Sequence, residues 1–152
     1  MHKNIRIYVD MDNVLCNFDK AFDIAIKKEP KIIYPQSQYG FFLNLEAIEY
    51  AINSYKILSK DFDVWILTAP SEKNPFSYTE KRVWIEKFLG EKEVEKLIIS
   101  PNKSLLIGDY LIDDIKEGRA KQDEFTGKLL HFGSKTYPDW YSILKYFNLK
   151  FQ

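Results

Sequence analysis

Short apolar segments alternate along this chain with longer segments of helical periodicity. The apolar segments are typical of buried strands in a parallel sheet, and they occupy residues 5–9, 62–67, 97–99, 104–107 and 128–132. Helices are predicted over residues 45–60, 78–89 and 138–147. This alternation predicts an α/β fold in which a doubly wound, parallel, five-stranded sheet is flanked by helices.

Each predicted helix carries its own local signal. In the first, apolar residues recur at steps of three or four, namely Leu45, Ile48, Ile52, Tyr55 and Leu58. In the second, Val83, Trp84 and Phe88 share one face, and Trp84 is expected in the core. Gly90 follows that helix at the position of a left-handed C-cap. Pro138 is expected to open the third helix.

The alternation is interrupted between the first two strands. Residues 29–44 contain Pro30, Pro35 and Gly40, together with an aromatic patch at 39–42. We therefore predict a small, reduced cap over residues 17–44. The length of 152 residues predicts that this cap belongs to a single domain spanning residues 1–152.

The composition argues against several classes of function. The 22 basic and 22 acidic residues give no net charge, so a nucleic-acid polymer or a membrane is not an expected partner. No apolar run approaches the roughly 18 residues that span a bilayer. Cys16 is the single cysteine, and a strand rather than a signal-like segment comes first. These features predict a cytoplasmic protein, and they leave its oligomeric state open.

Carboxylates follow two of the predicted strands. Asp10 and Asp12 come directly after residues 5–9, and three more carboxylates follow residues 104–107, at Asp109, Asp113 and Asp114. The carboxyl ends of parallel strands meet at one edge of a sheet, where Thr68 is also expected. Crowded carboxylates need a cation or a shared proton, and oxygen ligands favour magnesium over zinc. Taken alone, Asp10-Met11-Asp12 is more typical of turn or N-cap residues than of a metal site.

Four motifs occur in the order found in the haloacid dehalogenase-like (HAD) phosphohydrolases, which the chain resembles. They are Asp10-Met11-Asp12-Asn13-Val14, Leu67-Thr68, Lys103 and Asp113-Asp114. Within that superfamily the chain is similar to the 5'(3')-deoxyribonucleotidases. This similarity extends to Val14-Leu15, Phe18, Gly40-Phe41-Phe42-Leu43-Asn44-Leu45-Glu46, Trp84-Ile85-Glu86 and Gly108-Asp109-Tyr110-Leu111-Ile112-Asp113-Asp114.

The resemblance implies a HAD-like Rossmannoid fold and a magnesium-dependent phosphatase that forms an aspartyl-phosphate. Asp10 corresponds to the nucleophile, and Asp12 corresponds to the general acid and base. Magnesium is expected to be held by Asp10, the backbone carbonyl of Asp12 and Asp114, with Asp113 orienting these ligands. In this correspondence Asp109 is not a metal ligand. The implied substrate is a small phosphate ester, namely a deoxyribonucleoside monophosphate.

The resemblance also implies three phosphate-binding side chains, on Thr68, Lys103 and Lys73. Each has a plainer interpretation when it is taken alone. Thr68 is then a hydroxyl at the end of a strand, and the two lysines are solvated surface residues. The positions of Thr68 and Lys103 between the two acidic motifs favour the functional interpretation, whereas the two interpretations of Lys73 are evenly balanced.

Three phenylalanines match family positions that enclose the base and the sugar of a nucleotide. They are Phe18, Phe41 and Phe42. Aromatic faces can stack on a nucleobase, which favours a substrate-pocket role for Phe18. The alternative is ordinary core packing, and it is expected for at least one of Phe41 and Phe42 because large aromatic side chains are strongly buried.

The chain departs from the family pattern at two points. Asn13 stands where the family has glycine, and asparagine tolerates a left-handed backbone. The segment between Phe18 and Gly40 is shorter than in the animal enzymes, which insert several helices there. In these enzymes the cap contacts the leaving group, so a shorter cap makes another small phosphate ester an alternative substrate. A catalytically silent binding protein is the alternative from a different functional class.

Overall fold

The structure is a computed structural model that describes residues 2–151. It begins with β1 (His2–Val9), α1 (Phe18–Lys28), α2 (Ala51–Asp61) and β2 (Phe62–Thr68). These are followed by α3 (Ser77–Leu89), α4 (Glu91–Val94) and β3 (Leu97–Ile99). The last elements are β4 (Tyr110–Asp113), β5 (Lys128–His131) and α5 (Trp140–Tyr146). Four 3-10 turns lie at Pro35–Ser37, Phe42–Asn44, Lys103–Leu105 and Gln122–Glu124.

The strands form one parallel sheet in the order β3-β2-β1-β4-β5. The central strand β1 is buried at Ile7, Tyr8 and Val9. A strand covered on both faces is expected to be apolar throughout, and this explains why β1 ends in an uninterrupted apolar run. The predicted parallel five-stranded α/β sheet is confirmed, and four of the five predicted strands overlap observed ones.

The predicted strand over residues 104–107 is wrong. Residues 103–105 form a 3-10 turn, and Leu105 and Ile107 are 72% and 81% exposed. The fourth strand is instead β4, in which Leu111 and Ile112 are fully buried, and it pairs with β1. Both segments are short and apolar, so periodicity alone could not distinguish between them.

The position of β4 also changes the place of Asp109. This residue precedes β4 and therefore lies at the opposite edge of the sheet from Asp10 and Thr68. Its side chain accepts a hydrogen bond from the backbone N–H of Arg6 at 2.8 Å. The expectation that Asp109 shares the edge of Asp10 and Thr68 is therefore wrong.

The observed helices differ from the predicted ones mainly at their starts. Helix α2 begins at Ala51 rather than residue 45, because residues 46 and 48 make backbone hydrogen bonds to the loop after β1. In α3 the buried face contains Trp84 and Ile85, whereas Val83 is exposed. Gly90 is the C-cap of α3 with φ +102°, but its ψ of 160° lies outside the left-handed helical region that was predicted. Helix α5 starts after Asp139, which forms a capping box with Ser142.

The two faces of the sheet are covered differently. Helices α2, α3 and α5 contribute to the main core against one face, together with Ile7, Val9 and Ile66. The other face carries Tyr8 and Leu111 in a smaller apolar cluster. Right-handed crossovers place the β3–β4 and β4–β5 connections on that second face. Those connections contain 3-10 turns instead of α-helices. Short loops, rather than helices, therefore lie at the carboxyl ends of β1 and β4.

The predicted cap region, residues 17–44, comprises α1 and the first two 3-10 turns. None of the residues of α1 is fully buried, because this helix packs beside the sheet domain rather than within its core. Phe18 and Phe41 are partly buried against the main core, so they join the cap region to the sheet. Within residues 2–151, no helix has the length and apolar character needed to cross a membrane.

Candidate active site

The loop after β1 places two carboxylates at the carboxyl edge of the sheet. Asp10 extends the strand ladder by donating its backbone N–H to the carbonyl of Ile112 at 2.9 Å. The carbonyl of Met11 then accepts backbone hydrogen bonds from residues 14, 15 and 16, so the chain turns back immediately. Asn13 adopts a left-handed backbone with φ 61°, as expected for a residue that replaces glycine.

Three carboxylates meet beside this loop, on Asp10, Asp113 and Asp114. One oxygen from each lies within 4.8 Å of the others. They converge because β1 and β4 are neighbouring parallel strands that end at the same edge. Burial, followed by the charge of Asp113, raises the pKa of Asp10. Burial and the charges of Asp10 and Asp113 raise the pKa of Asp114 to about 8.

Lys103 lies inside this cluster rather than in solvent. Its side chain is 1% exposed, and its ammonium group donates to Asp10 at 2.8 Å and to Asp113 at 2.5 Å. Burial alone lowers the pKa of Lys103, but the two carboxylates outweigh it and raise the pKa above its ordinary value. The lysine is therefore protonated. Its backbone is held by a hydrogen bond from its N–H to the carbonyl of Ala120 at 2.8 Å.

Sequence reasoning missed a second buried lysine, Lys81 on α3. Its side chain is fully buried, and its ammonium group donates to Asp12 at 2.9 Å, to the Thr68 hydroxyl at 2.7 Å and to the carbonyl of Ala69 at 2.8 Å. It lies three and four residues before Trp84 and Ile85, on the apolar face of α3. A lysine on such a face was the signal that could have revealed it.

Replacing Lys81 with Met is expected to lower kcat by roughly 10- to 100-fold, because Asp12 and Thr68 lose the cation that holds them together. Steady-state kinetics with a phosphate monoester would measure the effect. Lys87→Met is the matched control, since Lys87 is exposed on the same helix. An unchanged kcat and pH profile for Lys81→Met would show that the contact with Asp12 has no role in turnover.

The charges of the cluster fit a divalent cation. Four carboxylates, on Asp10, Asp12, Asp113 and Asp114, surround two ammonium groups, on Lys81 and Lys103. Buried charges need compensation, and two negative charges are left over when all six groups are ionised. The donors are oxygens, with no cysteine or histidine side chain among them, and such a set suits a hard cation. The residues present therefore fit a metal site.

A cleft of about 440 Å³ opens onto these groups. Asp10, Asp12, Lys103 and Asp114 line it, and so do two of the predicted pocket residues, Phe18 and Phe42. Phe42 is also buried in the main core. It therefore occupies both of the positions considered for it, the core and the lining of the cleft. Phe41 lines a separate cavity of about 640 Å³ beside α1, although its ring contacts those of both Phe18 and Phe42.

Lys73 lies outside the surroundings predicted for it, and Arg119, for which no role was predicted, lines the cleft. Lys73 is exposed, its ammonium group lies 4.5 Å from the ring centre of Tyr34, and it is not one of the residues that line the cleft of about 440 Å³. Arg119 lines that cleft instead, and its guanidinium group donates to the carbonyl of Pro70 at 2.6 Å. The structure thus brings Asp10, Lys103, Asp113 and Asp114 together, with Asp12 beside them on the same cleft. Thr68 is fully buried beneath the cleft and is joined to Asp12 through Lys81, whereas Lys73 lies apart.

Comparison with known proteins shows the family of this chain. A family model described as "5' nucleotidase, deoxy (Pyrimidine), cytosolic type C protein" matches residues 28–137, more than half of the chain. A predicted 5'(3')-deoxyribonucleotidase of Vibrio phage KVP40 is 36% identical over 148 residues, which cover 92% of this chain and 82% of the phage protein. The chain belongs to the 5'(3')-deoxyribonucleotidase family. It is accordingly a hydrolase of phosphoric monoesters.

The deoxyribonucleotidase-family chain is also similar to proteins of cellular organisms. The cytosolic 5'(3')-deoxyribonucleotidase of Homo sapiens is 30% identical over 154 residues, covering 81% of this chain and 77% of the human protein. The fold resembles that of a class C acid phosphatase from Bacillus anthracis, with TM-score 0.60, 15% identity and coverage of 84% and 56%. A HAD family hydrolase from Deinococcus radiodurans R1 gives TM-score 0.57, 12% identity and coverage of 95% and 88%. The HAD-like fold is therefore confirmed.

Proposed function

We propose that this deoxyribonucleotidase-family chain is a magnesium-dependent phosphomonoesterase that hydrolyses deoxyribonucleoside monophosphates through an aspartyl-phosphate intermediate. The observation that carries the proposal is the position of Asp10. It lies in a cleft lined by Lys103 and by a carboxylate partner, Asp114, and the same cleft contains the aromatic rings of Phe18 and Phe42. The names of the phage and human relatives support the substrate class.

Asp10 acts as the nucleophile in this proposal. One of its oxygens attacks phosphorus, the bond from phosphorus to the ester oxygen breaks, and the carboxylate becomes an acyl phosphate. Burial raises the pKa of Asp10, so a nearby positive charge must keep it ionised for attack. The ammonium group of Lys103, 2.8 Å away, supplies that charge.

Asp12 transfers the proton in both steps. It protonates the departing ester oxygen, and it then accepts a proton from the water that attacks the acyl phosphate. Its side chain is 29% exposed, so it reaches the cleft while Lys81 holds it from behind. A partly exposed and tethered carboxylate is suited to a proton transfer that must reverse direction.

The proposed metal ligands are Asp10, the backbone carbonyl of Asp12 and Asp114, with Asp113 orienting them. Asp113 is fully buried and accepts hydrogen bonds from Lys103 and from the backbone N–H of Ile115, so it fixes the start of the loop that carries Asp114. When bound, magnesium would neutralise charge on the phosphate as a Lewis acid. Phosphate oxygens are proposed to contact Thr68 and Lys103, and Lys73 stays a prediction for the same role.

Replacing Asp12 with Asn is expected to slow hydrolysis of a deoxyribonucleoside monophosphate by about 100-fold or more, because an amide can neither give nor take the proton. The fall in rate should be smaller for formation of the acyl phosphate from p-nitrophenyl phosphate, whose leaving group needs no protonation. Rapid-quench kinetics on both substrates would measure this difference. Equal losses on both substrates would contradict the role of Asp12 as an acid.

A panel of phosphate esters tests the substrate assignment. We expect purified protein with magnesium to hydrolyse the deoxyribonucleoside monophosphates with higher kcat/KM than sugar phosphates or phosphoserine. Faster turnover of a sugar phosphate would assign the chain to another phosphatase substrate, as its short cap allows. Absence of turnover on the whole panel would favour a silent binding protein.

We further propose that the protein acts in the cytoplasm on small molecules. Cys16 is buried and free, so nothing in the described residues calls for an oxidising compartment. The relationship to a cytosolic-type human protein supports the same location. The single-domain organisation over residues 1–152, with residues 17–44 as the cap, is part of this proposal.

A further inference from the structure

Asn13 lies between the cap region and the carboxylate cluster. Its backbone is fixed in the loop after β1, where its φ is 61° and its N–H donates to the carbonyl of Cys16 at 2.7 Å. Its side-chain oxygen accepts from the backbone N–H of Asp19, in the first turn of α1, at 3.0 Å. This contact fixes the orientation of the carboxamide, because only its oxygen can accept a hydrogen bond.

The NH2 group of Asn13 donates to two carboxylates. It lies 3.0 Å from Oδ1 of Asp19 and 3.3 Å from Oδ2 of Asp114. An amide nitrogen carries two hydrogens, so both of its donors are used. All three residues line the catalytic cleft. Asn13 therefore joins the start of α1 to a proposed metal ligand, and it does so without adding a charge to the cluster.

Asp114 is held differently from the other carboxylates of the site. Asp10, Asp12 and Asp113 each form an ion pair with a buried lysine. Within residues 2–151, neither of these lysines forms an ion pair with Asp114. The next segment, residues 115–119, is exposed throughout, so it offers little packing that could fix the side chain before it. The hydrogen bond from the neutral amide takes the place of an ion pair here.

We propose that Asn13 is a positioning residue, whose amide group holds the carboxylate of Asp114 in the orientation that binds the proposed magnesium ion. This inference rests on the proposed function, because it concerns the same metal site. A carboxylate has about four lone-pair sites, so Asp114 can accept from Asn13 and still bind a cation. Groups that hydrogen-bond to metal ligands typically contribute about 10- to 100-fold to metal affinity, because they orient the ligand before the metal arrives.

Asn13 also supports the start of α1, and the experiment must separate this role from the proposed one. Asn17 supports the same helix end as its N-cap, where its side chain accepts from the N–H of Lys20 at 3.2 Å. Asn17 lines the neighbouring cavity rather than the catalytic cleft. Asn17→Gly is therefore the matched control for Asn13→Gly. It removes one support of α1 and leaves the hydrogen bond from Asn13 to Asp114 in place.

Isothermal titration of metal-free protein with magnesium, without substrate and at one pH, measures the effect directly. Each protein is titrated below its own unfolding midpoint. In Asn13→Gly the magnesium Kd should rise by about 10-fold or more. Glycine adopts a left-handed backbone without steric cost, so the loop keeps its shape. In Asn17→Gly the Kd should stay at the native value. Saturating magnesium should restore most of the kcat of Asn13→Gly, because the loss lies in metal affinity.

Three results would overturn the inference. A native magnesium Kd in Asn13→Gly, even with a lower unfolding temperature, would leave Asn13 with a structural role only. Equal rises of Kd in Asn13→Gly and Asn17→Gly would assign the effect to the stability of α1. A kcat of Asn13→Gly that stays low at saturating magnesium would place the residue in a step other than metal binding. If the native protein binds no magnesium, the proposed metal site itself fails, and the inference fails with it.

Discussion

Replacing Asp10 with Asn is expected to lower phosphate-ester hydrolysis by about 10,000-fold or more, which in practice abolishes it. The amide has nearly the same shape as the carboxylate but cannot attack phosphorus and carry the resulting bond. Lys103 keeps a partner in the variant, because its ammonium group also donates to Asp113. Steady-state kinetics and a test for a stable phosphorylated protein would measure the loss.

The matched control for this variant is Asp109→Asn. Asp109 has the same side chain and also adjoins a strand, but it lies at the opposite edge of the sheet against the backbone of Arg6. Its replacement should leave kcat and KM unchanged. If Asp10→Asn retained native activity while it remained folded, the aspartyl-phosphate route would be excluded, and a direct attack by water would have to replace it.

Removing divalent metal with EDTA is also expected to abolish hydrolysis, and magnesium should restore it. Without a cation, the carboxylates of Asp10, Asp113 and Asp114 face one another, with Lys103 as their nearest compensating charge. The rate before and after chelation, with added magnesium or zinc, would measure the requirement. Full activity in EDTA would remove the metal from the proposal, and restoration by zinc alone would contradict the preference for a hard cation.

The same site predicts that magnesium binding depends on pH. Burial, together with Asp10 and Asp113, raises the pKa of Asp114 to about 8 in the metal-free protein. A carboxyl group with a raised pKa stabilises the fold in its protonated form, and this contribution is lost as pH rises through that pKa. Magnesium must displace the proton, so its stabilising effect on thermal unfolding should grow between about pH 6 and 8. Asp114→Asn should abolish this growth, and an equally strong pH dependence in the variant would assign it to another group.

Local sequence was enough to predict most of the sheet and the acidic motifs. Residues 62–67 are apolar and rich in β-branched and aromatic types, so their strand is evident without any tertiary information. Residues 104–107 have the same character and yet lie outside the sheet. The choice between them and residues 110–113 depended on which segment could pair with β1 and bury its side chains. Such pairing is a long-range property that periodicity does not contain.

The candidate site divides in the same way. Asp10 and Asp12 could be assigned from sequence because their neighbours in the chain make a recognisable motif. Lys81 could not be assigned, because its partner Asp12 is 69 residues away and the contact exists only when α3 has packed against the sheet near the loop after β1.

The sequence by itself therefore determined the family, the α/β sheet and the carboxylates available for chemistry, since these depend on residue type and on short-range spacing. Only the tertiary structure decided how the charges compensate one another, with Lys103 between Asp10 and Asp113 and Lys81 behind Asp12. It also showed that Asp109 does not share the sheet edge of Asp10 and that Lys73 does not line the cleft. The physical reason is that electrostatic compensation and burial depend on distances of a few ångströms between groups far apart in the chain.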